Sequence, residues 1–334
     1  MNSEKEYQLP FEKIKRNILV KKNAETSPKF GADPKNRPTS ELINYGVVNI
    51  DKPKGPTSHQ ISAYTQQMLG ISKSGHSGTL DPKVTGVLPM ALGRATKVVQ
   101  ALLKAGKEYV CLMYFHQPIA ENKIINIFEK FKGRIMQLPP VRSAVKRQLR
   151  ERNIYYINIL EIDGQYVLFK VGCQAGTYIR KLCHDMGMEA GMGAHMAELR
   201  RTKAGPFDED NLVNMYELKD AFWYYKNNGN DKKLRRYLLP VETAVEHLPK
   251  IWVIDTSVES ICHGANLKIP GIAKLHEGIQ KDELVAVMTL KDELIAIGET
   301  VMTAPEIMKN ERGVVVKIQK VFMLPGIYPT VEKK

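Results

Sequence analysis

The sequence predicts an α+β fold in two domains of unequal size, of which the second is a small β-barrel. The chain has 334 residues, which exceeds the usual size of one domain. Strand and helix patterns alternate over the first two thirds, whereas short strands separated by turns fill residues 249–327. Hydrophobic residues make up 43% of the chain, which is enough for packed cores and excludes a largely disordered protein.

An N-terminal arm precedes the first domain. Residues 1–44 are polar, contain four prolines and show no sustained period, so we expect an arm that docks elsewhere on the protein. The first domain begins with a buried strand at Tyr45–Ile50, followed by a helix capped by Thr57 or Ser58. Ile61, Tyr64 and Met68 are expected to lie on the apolar face of this helix, and Gly70 is expected to end it.

We place the first domain at 45–248, the second at 249–327 and a short tail at 328–334. Further strands of the first domain are expected at Glu108–His116, Ile154–Ile162, Tyr166–Cys173 and His195–Lys203, with a helix from the cap Thr177 to about Gly191. Residues 226–236 are polar and predict an irregular surface segment. The strands of the second domain are expected around Ile251–Ile254, Glu283–Leu290, Glu293–Ile297 and Gly313–Val321.

The positive charge of the chain is unevenly distributed. Lys+Arg number 49 and Asp+Glu number 36, a net charge of +13 that suggests a polyanionic partner. Residues 249–327 are almost neutral, with 9 basic and 10 acidic residues, whereas residues 130–152 carry +7 from 8 basic residues and one acidic residue. Such a run is often only a solvated helix face, but Pro139-Pro140 interrupts it and favours a basic loop that can wrap a phosphate backbone.

Several classes of protein are disfavoured by the sequence. No apolar run approaches the roughly 18 residues of a membrane span, and Met1–Arg16 is too polar for a signal peptide. The four cysteines form no CxxC pair, and the eight histidines form no HxxxH or HExxH pattern, so we predict no metal site. We expect reduced thiols and a cytoplasmic protein, and no redox chemistry.

An aspartate in an unusual glycine-rich segment is the first candidate for chemistry. Asp81 lies in Gly75–Pro89, directly before a proline, which biases its backbone toward extended geometry and lets the side chain project into a cleft. An isolated Asp-Pro usually only begins a turn, and that alternative stays open here.

A second segment supplies a possible partner for this aspartate. Arg180 falls in the first turn of the helix that Thr177 is expected to cap, where the helix dipole disfavours a cation. An anionic partner is therefore expected, and a buried Asp81 would serve and would stay ionised. An ordinary structural ion pair is the alternative. Tyr178 lies beside Arg180 and Tyr109 opens a strand, although either ring could simply pack in the core.

These segments resemble the active-site motifs of the TruB-type pseudouridine synthases. Gly75–Pro89, Lys107–Tyr109 and Gly176–Arg180 carry the three motifs. Leu138–Lys146, His195–Arg201 and His263–Leu267 are similar to the dyskerin branch, the catalytic subunit of H/ACA guide ribonucleoproteins. The similarity covers nearly the whole chain and implies a synthase domain with a mixed, largely antiparallel sheet followed by a PUA domain on which the arm docks. The long Lys-rich tails of eukaryotic members are missing, as in archaeal members.

The resemblance implies a role for each matching residue. Asp81 matches the catalytic aspartate, which attacks the target uridine so that the base detaches, turns and rejoins the sugar through carbon 5. Arg180 matches the arginine that pairs with it, Tyr109 the aromatic that stacks on the flipped base, and Tyr178 a proposed proton acceptor. Extruding a paired base costs a few kcal/mol, part of which stacking recovers. Isomerisation needs no cofactor.

The resemblance also implies RNA and protein partners. Substrate RNA would contact His76 and the thumb loop, in particular Arg142, Lys146 and Arg147. The guide RNA would bind the PUA domain at His263, Gly264, Ala265, Asn266 and Gly271, where single-stranded ends can be read without strong charge. A zinc-ribbon protein and a Gly/Arg-rich-type small protein would bind the catalytic domain, and a kink-turn-binding protein would join through the guide RNA. Lys181 departs from the serine of many relatives.

Three functions compete at this point. The first is a guide-dependent synthase for ribosomal RNA within an H/ACA particle. The second is a stand-alone synthase for uridine 55 of tRNA, in the TΨC arm. The third is a non-catalytic RNA-binding scaffold. The set Asp81, Tyr109, Tyr178 and Arg180 argues against a scaffold, and the PUA domain and arm favour the first function over the second.

Overall fold

The computed structural model describes residues 7–139 and 147–330, so Arg142 and Lys146 lie outside the described residues. The helices are α1 (Thr39–Tyr45), α2 (Ser58–Leu69), α3 (Val99–Lys104), α4 (Glu121–Lys130), α5 (Ile179–Glu189), α6 (Met215–Asn228), α7 (Lys232–Tyr237), α8 (Asp255–Cys262) and α9 (Ala304–Lys309). The strands are β1 (Ile18–Val20), β2 (Gly46–Lys52), β3 (Ser74–His76), β4 (Thr85–Leu92), β5 (Lys107–Phe115), β6 (Gly133–Gln137), β7 (Arg150–Asp163), β8 (Tyr166–Cys173), β9 (Ala194–Ala204), β10 (Leu238–Pro240), β11 (Lys250–Val253), β12 (Leu267–Lys268), β13 (Ile272–His276), β14 (Leu284–Met288), β15 (Leu294–Thr300) and β16 (Val314–Val321).

A mixed sheet forms the first domain. Its strand order is β10-β2-β4-β9-β5-β8-β7-β6, and β3 pairs with β4 beside it. Strands β4 and β9 run parallel, whereas the other described pairings are antiparallel. The expected α+β class with a mixed, largely antiparallel sheet is therefore confirmed. Helix α5 packs on β9 and brings the segment before β4 and the start of α5 to the same region.

The close approach of the parallel strands β4 and β9 requires a glycine. Gly86 has φ +100°, and a Cβ built on it would lie 2.2 Å from the carbonyl oxygen of Arg201. Any other residue would push the two strands apart. Close approach of these backbones keeps the loop before β4 against β9.

A seven-stranded sheet forms the second domain, and the arm contributes one of its strands. The order is β1-β13-β11-β14-β15-β16-β12. Strand β1 pairs antiparallel with β13, so that Ile18 faces His276 in register. Farther along the arm, the Ser27 amide donates to the Asp255 carboxylate at 2.9 Å.

The two domains share one hydrophobic cluster. Val47 and Leu102 of the first domain belong to the same buried cluster as Trp252, Leu294 and Phe322 of the second. Continuous apolar packing of this kind resembles the interior of one domain rather than a transient contact between two. The position of the second domain is therefore set by packing.

Three details differ from the sequence-based expectations. Residues 39–45 form α1, so Tyr45 ends a helix instead of beginning a strand. Tyr64 is 44% exposed, because α2 buries the Ile61 side and not the Tyr64 side. The expected irregular segment at 226–236 contains the end of α6 and most of α7, since α6 continues to its glycine C-cap at Gly229. Within 7–139 and 147–330, no helix is long and apolar enough to cross a membrane.

Candidate active site

The loop that carries Asp81 is fixed by side chains from α2 and β2. The buried Ser58 hydroxyl accepts a hydrogen bond from the Leu80 amide at 2.8 Å, and the Lys52 ammonium donates to the carbonyl oxygen of Val84 at 2.8 Å. The Val84 amide donates to the Asp81 carbonyl oxygen at 3.0 Å and closes the turn. The Asp81 side chain is 48% exposed, so the expectation of a buried carboxylate is wrong. An exposed carboxylate can be reached by a large substrate.

Arg180 meets Asp81 across the domain. One Nη of Arg180 donates to the Asp81 carboxylate, and the two residues are 99 positions apart in the chain. Arg180 is the second residue of α5, but Thr177 is not its cap: Tyr178 occupies the N-cap position without a side-chain capping bond. The Thr177 hydroxyl instead donates to the Gln174 carbonyl oxygen at 2.7 Å, because it closes the preceding turn. The unfavourable dipole at Arg180 is offset by the carboxylate.

A buried glutamine that the sequence analysis missed positions Tyr178. Gln137 is 2% exposed and stands at the end of β6. Its side-chain oxygen accepts from the Tyr178 amide at 3.0 Å, and its nitrogen donates to the Tyr178 carbonyl oxygen at 3.2 Å. The polar pattern of a strand end gives no signal for such a long-range amide pairing.

Tyr109 lies on β5 next to the same site. Its strand neighbours are Val171 on β8 and Arg201 on β9. Burial raises the pKa of the Tyr109 phenol, which the Arg201 guanidinium opposes through its charge and a hydrogen bond. The charge of Asp81 also acts on this phenol. Tyr109 is therefore a neutral ring within electrostatic range of the carboxylate.

Three buried cations that the sequence analysis missed lie in the first domain, and two of them, Lys52 and Arg201, contact the loop and its flanks. Arg201 and Lys52 are 1% and 0% exposed, and Lys107 is 5% exposed. The Lys107 ammonium donates to the carbonyl oxygens of Leu102 and Ala105, each at 2.8 Å, at the end of α3. Burial lowers the pKa of Lys107 to about 7. In a sequence, lysine and arginine normally indicate surface, so no local pattern marks these three as interior.

His76 and a basic groove lie close to the pair. The His76 ring contacts the His59 ring at a centroid distance of 5.0 Å, and burial, His59 and Arg201 lower the pKa of His76. A groove of about 470 Å³ adjoins Arg180. Its lining combines basic and apolar side chains from Leu138, Pro139, Arg147, Arg180, Lys181, His184, Ala194 and His195. Lys181 forms an ion pair with Asp185 on the next turn of α5.

The predicted guide-binding residues of the second domain fall into two groups. His263, Gly264, Ala265 and Asn266 form an exposed loop after α8. His263 Nε2 lies 3.0 Å from a Glu259 carboxylate oxygen, and Asn266 Oδ1 accepts from the Ile318 amide at 3.1 Å, which orders both ends of the loop. Gly271 is buried, and a Cβ there would lie 2.6 Å from Ser257 Oγ, so this glycine allows close packing against α8.

No described group of three or more His, Cys, Asp or Glu side chains within 7–139 and 147–330 is arranged to hold a metal ion. Within the described residues, the geometry thus offers an ion-paired carboxylate, two tyrosines and a basic groove.

Comparison with known proteins decides the family. A relative from Pyrococcus horikoshii, "Probable tRNA pseudouridine synthase B", is 57% identical over 318 residues, which cover 95% of each chain. A relative of the same name from Methanopyrus kandleri is 52% identical over 329 residues, covering 98% of this chain and 97% of its own. The chain belongs to the TruB family of pseudouridine synthases. It is therefore an isomerase.

Family models cover the TruB-family chain from the arm to the second domain. The N-terminal model of TruB family pseudouridylate synthases matches residues 66–179, and the C-terminal model of tRNA pseudouridylate synthase B matches 180–246. The PUA model matches 249–322 and the DKCLD (NUC011) model matches 6–62. Asp81 and Tyr109 fall within the first match, and Arg180 is the first residue of the second.

Solved structures are similar over the same length. A chain from the crystal structure of a Cbf5-Nop10-Gar1 complex has a TM-score of 0.94 and 52% identity, covering 98% of this TruB-family chain and 99% of its own. A chain from the structure of an H/ACA RNP bound to a substrate RNA containing 2′-deoxyuridine has a TM-score of 0.91 and 50% identity, covering 97% and 100%.

Proposed function

We propose that this synthase is the catalytic subunit of an H/ACA guide-RNA particle and converts uridine to pseudouridine in ribosomal RNA, with Asp81 as its nucleophile. The observation that carries the proposal is the contact between Asp81 and Arg180 at the meeting point of two distant segments. Tyr109 and Tyr178 flank this contact from β5 and from the cap of α5.

The proposed reaction uses each of these groups. A carboxylate oxygen of Asp81 bonds to C1′ of the target ribose while the C1′–N1 bond breaks and its electron pair stays on the base. The base turns, C5 bonds to C1′ and the carboxylate leaves. The Tyr178 oxygen then takes the proton from C5 while its own proton passes to solvent, and N1 gains a proton from solvent. Arg180 pairs with the Asp81 carboxylate and holds it in position, and Tyr109 stacks on the extruded base. The overall step is redox-neutral.

RNA binding is assigned to two surfaces. His76, with its partly buried ring beside the Asp81 loop, and the exposed Arg147 would contact the substrate strand. Arg142 and Lys146, outside the described residues, belong to the same proposed surface because they extend the basic run of residues 130–152. The exposed loop His263–Asn266 of the second domain would bind the end of the guide RNA, and Gly271 would contribute through its close packing against α8, the helix that precedes this loop.

Guide dependence and partners are proposed from the likeness to the Cbf5 chains. Those chains were solved with Nop10 and Gar1 and in an RNP with substrate RNA. The arm at 1–44, the synthase domain at 45–248, the PUA domain at 249–327 and the tail at 328–334 would then form one subunit. Its partners would be a zinc-ribbon protein, a Gly/Arg-rich-type small protein and, through the guide RNA, a kink-turn-binding protein. A ribosomal RNA substrate implies work in the cytoplasm of an archaeal cell.

A second candidate activity is guide-independent modification of tRNA. The curated relatives carry the name tRNA pseudouridine synthase B, which favours it. The same site would serve, because the chemistry at the uridine is unchanged.

The two activities can be separated in one experiment. The purified protein is incubated with a guide-matched ribosomal RNA fragment and with a tRNA transcript, each with and without guide RNA and the three partner proteins. We expect pseudouridine in the ribosomal fragment only when its guide is present. Equal conversion without a guide would overturn guide dependence and support the tRNA activity instead.

A further inference from the structure

The two largest side chains with under 2% exposure are both cations, Arg201 and Lys52. They come from β9 and β2, the two strands that flank β4 in the sheet, and the loop that carries Asp81 leads into β4. Large buried side chains are normally aliphatic or aromatic, and fully buried cations are normally paired.

Both cations donate mainly to backbone oxygens, most of them in this loop and its flanks, and Arg201 also forms a hydrogen bond with the Tyr109 phenol. Lys52 Nζ donates to the carbonyl oxygens of Pro82 and Val84, at 3.2 and 2.8 Å. Arg201 Nε donates to the Val87 carbonyl oxygen at 2.7 Å, and its Nη2 lies 3.4 Å from the Gly78 carbonyl oxygen. The contacts thus bracket Asp81 from three residues before it to six residues after it.

Neither cation forms an ion pair with a carboxylate of residues 7–139 or 147–330. Carbonyl oxygens could be satisfied by neutral donors, so the hydrogen bonds alone do not explain two buried charges. The charge of the Asp81 carboxylate acts on Lys52, but Asp81 is already paired with Arg180. Arg201 in turn acts on the phenol of Tyr109. The site therefore holds an excess of positive charge.

We propose that Lys52 and Arg201 stabilise the negative charge that moves onto the uracil ring when it detaches. This inference rests on the proposed function. When the C1′–N1 bond breaks, its electron pair passes to the base, which is then a delocalised anion until C5 bonds to C1′ and the carboxylate leaves. Fixed cations in a low-dielectric wall stabilise such a charge without reorganising. Neither side chain touches the reacting atoms: both are positioning residues that act across the loop and Tyr109.

The test compares two target bases in single-turnover reactions of the reconstituted particle. One RNA carries uridine at the target position and the other 5-fluorouridine, whose base is the better leaving group because fluorine stabilises the anion. The measured quantity is the rate at which the nitrogen-linked target nucleotide is consumed. We expect Arg201→Met and Lys52→Met to slow the uridine reaction by about tenfold or more and the 5-fluorouridine reaction clearly less. Arg201→Lys, which keeps the charge, should keep the wild-type ratio between the two bases.

Two controls distinguish this effect from damage to the fold. Arg37→Met removes another buried cation, one paired with Glu242, and should slow both bases equally if it slows them at all. The guide-RNA affinity of each variant reports whether it is folded. If a methionine variant does not fold, Lys52→Gln or Arg201→Lys is compared with wild type in its place. Equal slowing of both bases by the Arg201 and Lys52 variants would overturn the inference while leaving the proposed function intact. Failure of the wild-type protein to convert uridine would overturn the proposed function itself.

Discussion

Asp81 and Arg180 come from separate segments, and each constrains what the other can do. Arg180 lies at the beginning of α5, where the helix dipole disfavours its charge, so a carboxylate partner is stabilising. Asp81 is half exposed and has its loop held by Ser58 and Lys52. The pair is consequently fixed in position yet open to a large substrate.

Gly86 allows a prediction with a matched control. Gly86→Ala should lower the free energy of unfolding by about 3 kcal/mol or more, because its Cβ would overlap the carbonyl oxygen of Arg201 at 2.2 Å. Gly55 has a similar backbone angle, φ +118°, but no atom within 4 Å of a built Cβ. Gly55→Ala should therefore cost only the backbone strain, about 1–2 kcal/mol. Urea unfolding of both variants checks this, and equal losses would show that the close approach is unimportant.

The residues of the candidate site differ in how well their position there can be predicted from the sequence. Asp81 and Arg180 could be selected because an aspartate before proline and a cation in the first helical turn are locally unusual. Arg201 and Lys52 could not, because burial depends on strands that pair across the sheet. Gln137 was missed for the same reason, since its partner Tyr178 is 41 positions away.

At the scale of elements, the arm is held by contacts that acid should weaken. Arg16 of the arm donates to the His247 carbonyl oxygen at 3.2 Å, and the Phe11 ring lies 5.9 Å from the His247 ring. His247 is 8% exposed, and burial lowers its pKa to about 4. His276, opposite Ile18 of β1, also has its pKa lowered to about 4, by burial and then by Arg16 and Lys250.

The stability of the protein should therefore fall with acid in a defined window. The folded pKa of His247 lies below its ordinary value of 6.5, so the unfolded chain takes up the proton first. The contribution is fully present above pH 6.5 and is lost as the pH falls toward 4, by about 3 kcal/mol for His247. Urea unfolding of wild type and His247→Phe at several pH values measures it. The variant should lose less stability across the window, whereas the exposed His184→Phe should match wild type; identical pH slopes for wild type and His247→Phe would contradict the assignment.

Helices and strands could be predicted where the sequence pattern that marks them lies within the element or next to it. Strand β8 has the bounds that the sequence predicted, and β7 is longer than predicted, since it begins at Arg150 and ends at Asp163. Both could be found because strand-forming residues lie on either side of the turn at Asp163-Gly164. The extent of α6 is set by a capping box at Asn214 and a left-handed C-cap at Gly229, so the helix runs into the segment from residue 226 that the sequence analysis expected to be irregular. Strand β1 could not be found, because its three residues become a strand only against β13, more than 250 positions away.

At the scale of the whole molecule, arm and both domains meet at one buried carboxylate. Glu242 accepts two hydrogen bonds from the Arg37 guanidinium, at 2.7 and 2.8 Å, and one from the Leu294 amide at 2.9 Å. Arg37 belongs to the arm, Glu242 to the segment after β10, and Leu294 to β15. With the shared hydrophobic cluster, this junction fixes the second domain relative to Asp81.

Removing the negative charge of Glu242 should destabilise the folded protein. Glu242→Gln leaves Arg37 buried without its main counter-charge, so the free energy of unfolding should fall by roughly 3–5 kcal/mol. Glu41 also approaches Arg37, at 3.4 Å, but is 41% exposed, and Glu41→Gln should cost at most about 0.5 kcal/mol. Urea unfolding of both variants provides the comparison. Similar losses would mean that the junction does not couple the domains.

The charge of the molecule fits this arrangement. Residues 45–248 carry 29 basic and 19 acidic residues, +10 of the total of +13, while the second domain is nearly neutral. Long-range attraction of RNA is thus concentrated on the domain that holds Asp81.

Loss of the C5 hydrogen of the target uridine measures the role of Asp81 directly. A guide-matched RNA with tritium at C5 of the target uridine releases tritium to water only when C5 bonds to C1′. In the reconstituted particle we expect release by wild type, none by Asp81→Asn, and the same guide-RNA affinity for both. Asp163→Asn, a change in the β7–β8 turn, should behave as wild type. Tritium release by Asp81→Asn at a rate near that of wild type would show that Asp81 is not the nucleophile.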